Sequence, residues 1–215
     1  MRRVTALLAA LVLTATAAAD PAKWAASIDQ ITKGDAAHPP AKGGIVFVGS
    51  SSIRRWSTLE QDFPGMAVLN RGFGGSQLAD SVFYADRIVL PYAPRAVVVY
   101  AGENDLQEGR TPAQVIAAYE ALVAKVHAAL PQARIVFIGL KPSPSRWRLA
   151  PQMQEVNAAV ARACAADPRR RFVDVWAPML DAQGQPRAEL FIQDKLHMTP
   201  TGYAIWTPLV AAQLR

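Results

Sequence analysis

An α/β fold, with a parallel sheet of five strands between two layers of helices, is what the sequence predicts, and three observations predict it. Short apolar runs alternate along the chain with longer helical patterns, the arrangement of strand-helix-strand units. The apolar runs are continuous in character, without the in-out alternation of a strand that has one wet face, so both faces of the sheet should be covered. The third is size: 215 residues, 51% hydrophobic and 19% charged, suit one domain with a substantial core.

The chain opens with "MRRVTALLAALVLTATAAAD", in which Arg2 and Arg3 precede an apolar run from Val4 to Val12 and small residues ending Ala17-Ala18-Ala19. The run is shorter than the roughly 20 residues of a spanning helix, so it reads as a cleavable secretory signal cut after Ala19. Residues 1–19 are thus assigned to the signal and 20–215 to one mature domain, exported to a periplasm or out of the cell with no stable membrane anchor. Asp20 stands where a lipid-anchored form would need a cysteine. The formal charge of +6 falls to +4 once Arg2 and Arg3 leave. A basic run, "PRRRF" at 168–172, reads as a solvated corner, and no nucleic-acid partner is expected. Cys164, the single cysteine, can form no internal disulfide.

Residues 20–43 are mixed and polar, and "HPP" at 38–40 marks a break before the first strand. Strands are predicted at Ile45–Val48, Ala67–Leu69, Ala96–Tyr100, Ile135–Ile138 and Phe172–Val175. A helix begins at "TPAQ", where Thr111 caps, Pro112 fits the first turn and Gln114 completes a capping box. A second runs from Pro151 to Ala166 and buries Met153, Val156, Val160 and Cys164 on one stripe. The last begins near Thr199-Pro200, with Pro208 expected to kink it.

In a parallel sheet, ligands bind outside the carboxyl ends of the strands. The stretches that follow the predicted strands are "GSSS" at 49–52, "NRGFGGS" at 70–76, "GEND" at 102–105, "KPSPSRW" at 141–147 and, further on, "DKLH" at 194–197. A serine hydroxyl needs a neighbouring base, and that base needs a third group to orient it. His197 is the candidate base, with Asp194 three residues before it. His38 lies in the polar leader and His127 inside a helix, so both read as solvated or packing residues. The tetrahedral intermediate of acyl transfer requires donors, which backbone N–H groups of the 70–76 glycines and the Asn104 amide can supply. "NRGFGGS" lacks the Lys-Ser/Thr ending of a nucleotide loop, and Gly49-Ser50-Ser51-Ser52-Ile53 is not the G-x-S-x-G of a nucleophile elbow. No His/Cys/Asp cluster has metal-ligand spacing, so neither a metal nor an organic cofactor is implied.

Taken together, "FVGSSSIRRW", "NRGFGGS", "GEND" and "DKLH" resemble the four blocks of the SGNH hydrolases, also called the GDSL esterase/lipase family, from about Ile45 to His197. The resemblance implies a three-layer α/β/α, flavodoxin-like five-stranded parallel sheet. It selects the middle serine: Ser51 as nucleophile, Asp194 and His197 as its partners, and Ser51, Gly75 and Asn104 as the oxyanion hole. Ser50 stands where the family usually has Asp, and Ser52 starts the turn into the next helix, where a cap would explain it. Phe73, Arg146 and Trp147 are the candidates to line the substrate site. The implied activity is hydrolysis of short acyl esters, acetyl foremost, on a small-molecule or carbohydrate substrate. A lysophospholipase or thioesterase, an acyltransferase to a carbohydrate acceptor, and a carbohydrate-binding module without turnover are the alternatives.

Overall fold

The computed structural model describes residues 21–215; the signal assigned to residues 1–19 lies outside them. The sheet is formed by β1 (Ile45–Gly49), β2 (Val68–Gly72), β3 (Ala96–Tyr100), β4 (Arg134–Ile138) and β5 (Arg170–Val173). All neighbours are parallel, in the order β2-β1-β3-β4-β5. The helices are α1 (Pro21–Ala37), α2 (Ser51–Arg54), α3 (Leu59–Asp62), α4 (Leu78–Ile88), α5 (Glu103–Gln107), α6 (Pro112–Ala129), α7 (Ala150–Ala165) and α8 (Pro200–Leu214).

Successive strand residues point to opposite faces, so two cores follow directly from the apolar runs. On one face Val46, Val48, Val97, Val99, Ile135 and Phe137 pack with residues of α1, α4, α6 and α7. On the other, Ile45, Phe47, Val98, Tyr100, Val136 and Ile138 pack with α8 and with Trp56 and Phe63. Trp56 lies within 5.9 Å, ring to ring, of Phe47, Phe63, Tyr203 and Trp206. Each large apolar side chain buried this way contributes about 1.5–3 kcal/mol relative to exposure. This second face therefore draws much of its stability from one aromatic cluster.

Three of the differences from the sequence expectation have a physical reason. Strand β2 continues past Leu69 through Asn70 and Arg71, because both polar side chains are satisfied inside the fold. Asn70 donates to Ile53 O at 2.7 Å, and Arg71 donates to the Tyr92 hydroxyl at 3.0 Å and pairs with Asp35. Strand β5 begins earlier, at Arg170, and the basic corner is ion-paired: Arg169 with Asp167 and Arg170 with Glu120. Helix α1 falls in the stretch read as mixed and polar, where Trp24, Ile28 and Ile31 stand at helical spacing and reach the core.

Other elements follow their local chemistry. Thr111 and Gln114 exchange both bonds of a capping box at the start of α6. Thr199 caps α8 by accepting from Gly202 N, and that helix continues through Pro208 to Leu214. Cys164 is buried on α7, its Sγ 3.4 Å from the Tyr119 hydroxyl. His127 bonds the Ala133 carbonyl at 3.0 Å, the packing role expected of it. No described helix is long and apolar enough to cross a membrane.

Candidate active site

The sheet ends abruptly under the three serines. Gly49 closes β1 at φ +139°, a conformation that side chains disfavour, and a Cβ there would lie 2.0 Å from the Tyr100 carbonyl oxygen. This close approach lets Ser50 N bond the same carbonyl at 3.0 Å and turns the chain into α2. Ser50 is the residue before α2 and is buried without a side-chain capping bond, and Ser52 is buried beneath Tyr203, whose hydroxyl donates to Ser52 O at 2.9 Å. The cap expected of Ser52 is not formed. Ser51, the first residue of the helix, is the half-buried one of the three, and its hydroxyl reaches His197.

The loop that carries His197 is built by its own carboxylate. Asp194 Oδ1 accepts from the backbone N–H of Leu196 and of His197, both at 2.9 Å, and its Oδ2 lies 2.6 Å from His197 Nδ1. Ile192 N donates to His197 O at 2.8 Å and Lys195 sits at φ +56°, which closes the turn. A carboxylate only accepts, so the proton between these residues belongs to His197 Nδ1. Nε2 is then left with its lone pair facing Ser51 Oγ at 2.8 Å. Partial burial pushes the Asp194 carboxyl up, but the His197 ring and the two backbone donors outweigh it and bring it down to about 2. A hydroxyl, an imidazole with its acceptor nitrogen toward it, and a carboxylate behind are the components of nucleophilic acyl transfer.

The other two expected residues also meet. Asn104, the second residue of α5, directs its Nδ2 to Ser76 O at 3.1 Å, and a Cβ built on Gly75 would lie 3.7 Å from that same nitrogen. Gly75 therefore leaves open the space beside the Asn104 amide. The loop from Phe73 to Gln77 is held from both sides: Trp24 Nε1 and Gln77 N both donate to Asp80 Oδ2, at 3.0 and 2.9 Å, while Leu78 N donates to the Asp105 carboxyl at 3.2 Å. Burial raises the Asp105 carboxyl to about 7, against the pull of the Leu78 N–H. Trp24, Asp80 and Asp105 escaped the sequence reading. Trp24 was recoverable from the periodicity of α1, whereas the Asp80 contact shows itself only once α1 packs on α4, and the Asp105 contact only once α5 meets the start of α4.

The candidates to line the substrate site are redistributed. Phe73 is 1% exposed and packs edge-on between Trp24 and Tyr84, so it is a core residue that anchors its loop and does not line the site. Trp147 is half-buried and stacks on Trp176 at 5.9 Å and 26°. Two nitrogens of Arg146 are engaged within the protein, Nη1 with Glu103 O at 2.8 Å and Nη2 with Asn104 Oδ1 at 3.0 Å. Among the described residues, no three His, Cys, Asp or Glu side chains gather as metal ligands.

The model of the GDSL-like Lipase/Acylhydrolase family matches residues 13–205. This chain belongs to that family. The human platelet-activating factor acetylhydrolase IB subunit alpha1 is 30% identical to it over 173 residues, covering 78% of this chain and 72% of the human one. Among solved structures, a GDSL-like lipase from Bacteroides thetaiotaomicron superposes with a TM-score of 0.76 at 21% identity, covering 88% of this chain and 97% of that one. An acetylxylan esterase from Geobacillus stearothermophilus superposes with a TM-score of 0.63 at 14% identity, covering 81% and 95%. Both solved structures share the three-layer α/β/α fold with this chain.

Proposed function

We propose that this GDSL acylhydrolase is an exported serine esterase that releases short acyl groups, acetyl foremost, from a small or carbohydrate alcohol. The observation that carries the reading is the continuous chain of contacts from Asp194 Oδ2 through the His197 ring to Ser51 Oγ, at 2.6 and 2.8 Å. Ser51 Oγ attacks the ester carbonyl as its proton passes to His197 Nε2, and the resulting imidazolium is stabilised by Asp194. The N–H groups of Ser51 and Gly75 and the Asn104 amide hold the negative oxygen of the tetrahedral intermediate. The imidazolium then protonates the departing alkoxide. A water molecule, deprotonated by the same imidazole, attacks the acyl-serine and regenerates the free hydroxyl.

The preference for short acyl groups is supported by the compact chain, which carries no long apolar insertion to form a lipid-binding lid, and by relatives named as an acetylhydrolase and an acetylxylan esterase. Export is supported by the Arg-rich start, apolar run and Ala-x-Ala ending of residues 1–19.

The test is turnover by residues 20–215 on p-nitrophenyl esters from acetyl to dodecanoyl, followed by acetylated xylan. The expected result is a kcat/KM that is highest for acetyl and falls with chain length. A maximum at long chains would favour a lysophospholipase-type activity, and acyl transfer to an added sugar in preference to water would favour an acyltransferase.

A further inference from the structure

We propose that Arg146 is a positioning residue of this site, whose guanidinium fixes and polarises the Asn104 amide that faces the oxyanion. The proposal rests on the reading of Asn104 as an oxyanion donor. Arg146 Nη2 lies 3.0 Å from one terminal atom of the Asn104 side chain, and Ser76 O lies 3.1 Å from the other. A guanidinium has donors only, so the atom facing it must be the amide oxygen; a carbonyl oxygen only accepts, so the atom facing Ser76 must be the amide nitrogen. One orientation of the amide survives. A half-turn about its last torsion would set N–H against N–H and oxygen against oxygen.

In that orientation one Nδ2 hydrogen is taken by Ser76 O and the second is left for the space kept open by Gly75. A cation on Oδ1 also draws electron density through the amide and strengthens the remaining N–H as a donor. Arg146 is itself fixed. Its second nitrogen bonds Glu103 O at 2.8 Å, its backbone N bonds Ser143 O at 3.1 Å, and the neighbouring Ser145 N bonds Lys195 O, also at 3.1 Å, in the loop that carries His197.

Beneath these contacts lies a buried ion pair. The Glu103 carboxylate is held by Lys141 Nζ at 2.6 Å and by the Tyr100 hydroxyl, and Lys141 is fully buried. Because Glu103 precedes Asn104, locking its side chain also locks the start of α5 and the carbonyl that Arg146 uses. Arg146 thereby joins the two halves of the site: it touches Asn104 directly, and its loop touches the His197 loop.

The experiment is a double-mutant cycle on p-nitrophenyl acetate hydrolysis with Arg146→Ala, Asn104→Ala and the pair, reading kcat, KM and melting temperature. Asn104→Ala is expected to lower kcat about 10²–10³-fold. Arg146→Ala is expected to lower kcat about 10- to 100-fold with KM nearly unchanged, and the double variant to be no slower than Asn104→Ala. Added guanidinium at millimolar concentration should restore part of the Arg146→Ala rate and none of the double variant's. Arg146→Lys, which keeps the charge and folds if Arg146→Ala does not, should show an intermediate loss. Multiplying losses in the double variant, or a raised KM at unchanged kcat, would overturn the positioning role and assign Arg146 to substrate contact. Full activity of Asn104→Ala would overturn the oxyanion reading itself, and this proposal with it.

Discussion

His197 Nε2 lies 2.8 Å from Ser51 Oγ, although the two residues are 146 positions apart in the chain. The contact joins the end of β1 to the loop before α8, so it exists only when the sheet and its last helix are both in place. By contrast, Asp194 reaches His197 Nδ1 within a single turn of backbone. The local pair orients the ring, and the fold delivers it to the hydroxyl.

Asp194→Asn is expected to remove activity without unfolding the protein. An Asn at this position can present its NH₂ to Nδ1, which would move the ring proton to Nε2 and leave Ser51 without an acceptor. The expected loss is about 10³–10⁴ in kcat. The Asp194 side chain is 41% exposed, so the melting temperature should change little. Steady-state kinetics paired with thermal melts checks both halves; a large drop in melting temperature with modest loss of rate would reverse the assignment.

Asp105 predicts how stability depends on pH. Its carboxyl is raised to about 7 when folded against an ordinary value near 3.8, so between these values the folded state holds a proton that the unfolded chain has released. Stability should therefore fall as pH rises from about 4 to about 7, by up to about 1.4 kcal/mol for each step of one in pH, and level off above that. Asp105→Asn should flatten the profile across this window. Urea denaturation of both proteins at a series of pH values measures it, and profiles that stay parallel would contradict the buried neutral carboxyl.

Lys141 predicts the cost of breaking a buried pair. Burial lowers its ammonium pKa and Glu103, 2.6 Å away, pulls in the opposite direction. Lys141→Met strands a buried carboxylate and is expected to destabilise the protein by about 3–5 kcal/mol, whereas Lys141→Met with Glu103→Gln should recover part of that loss. Denaturant midpoints of the two variants decide it: equal losses would mean that the pair is not coupled.

Much of this was legible in the sequence because it rests on local signals. The apolar runs marked the five strands and the "TPAQ" box marked the start of α6, while Ser51, Gly75, Asn104, Asp194 and His197 were picked out by the resemblance of three short blocks at strand ends, and a fourth before the last helix, to the SGNH family. Polar residues misled where tertiary partners satisfy them, as Asn70 and Arg71 do inside β2. Aromatic residues misled where a ring beside the site points into the core, as Phe73 does between Trp24 and Tyr84. The Arg146–Asn104 contact spans 42 positions, and the two loops carry no shared pattern, so only the folded chain reveals it.

Everything proposed for the reaction depends on Ser51 being the nucleophile, and p-nitrophenyl acetate hydrolysis by residues 20–215 beside Ser51→Ala measures that, with Ser50→Ala and Ser52→Ala as comparisons. Ser51→Ala alone should lose essentially all turnover while keeping the wild-type melting temperature. Retained activity in a folded Ser51→Ala protein, or its loss on replacing Ser50 or Ser52 instead, would contradict the assignment.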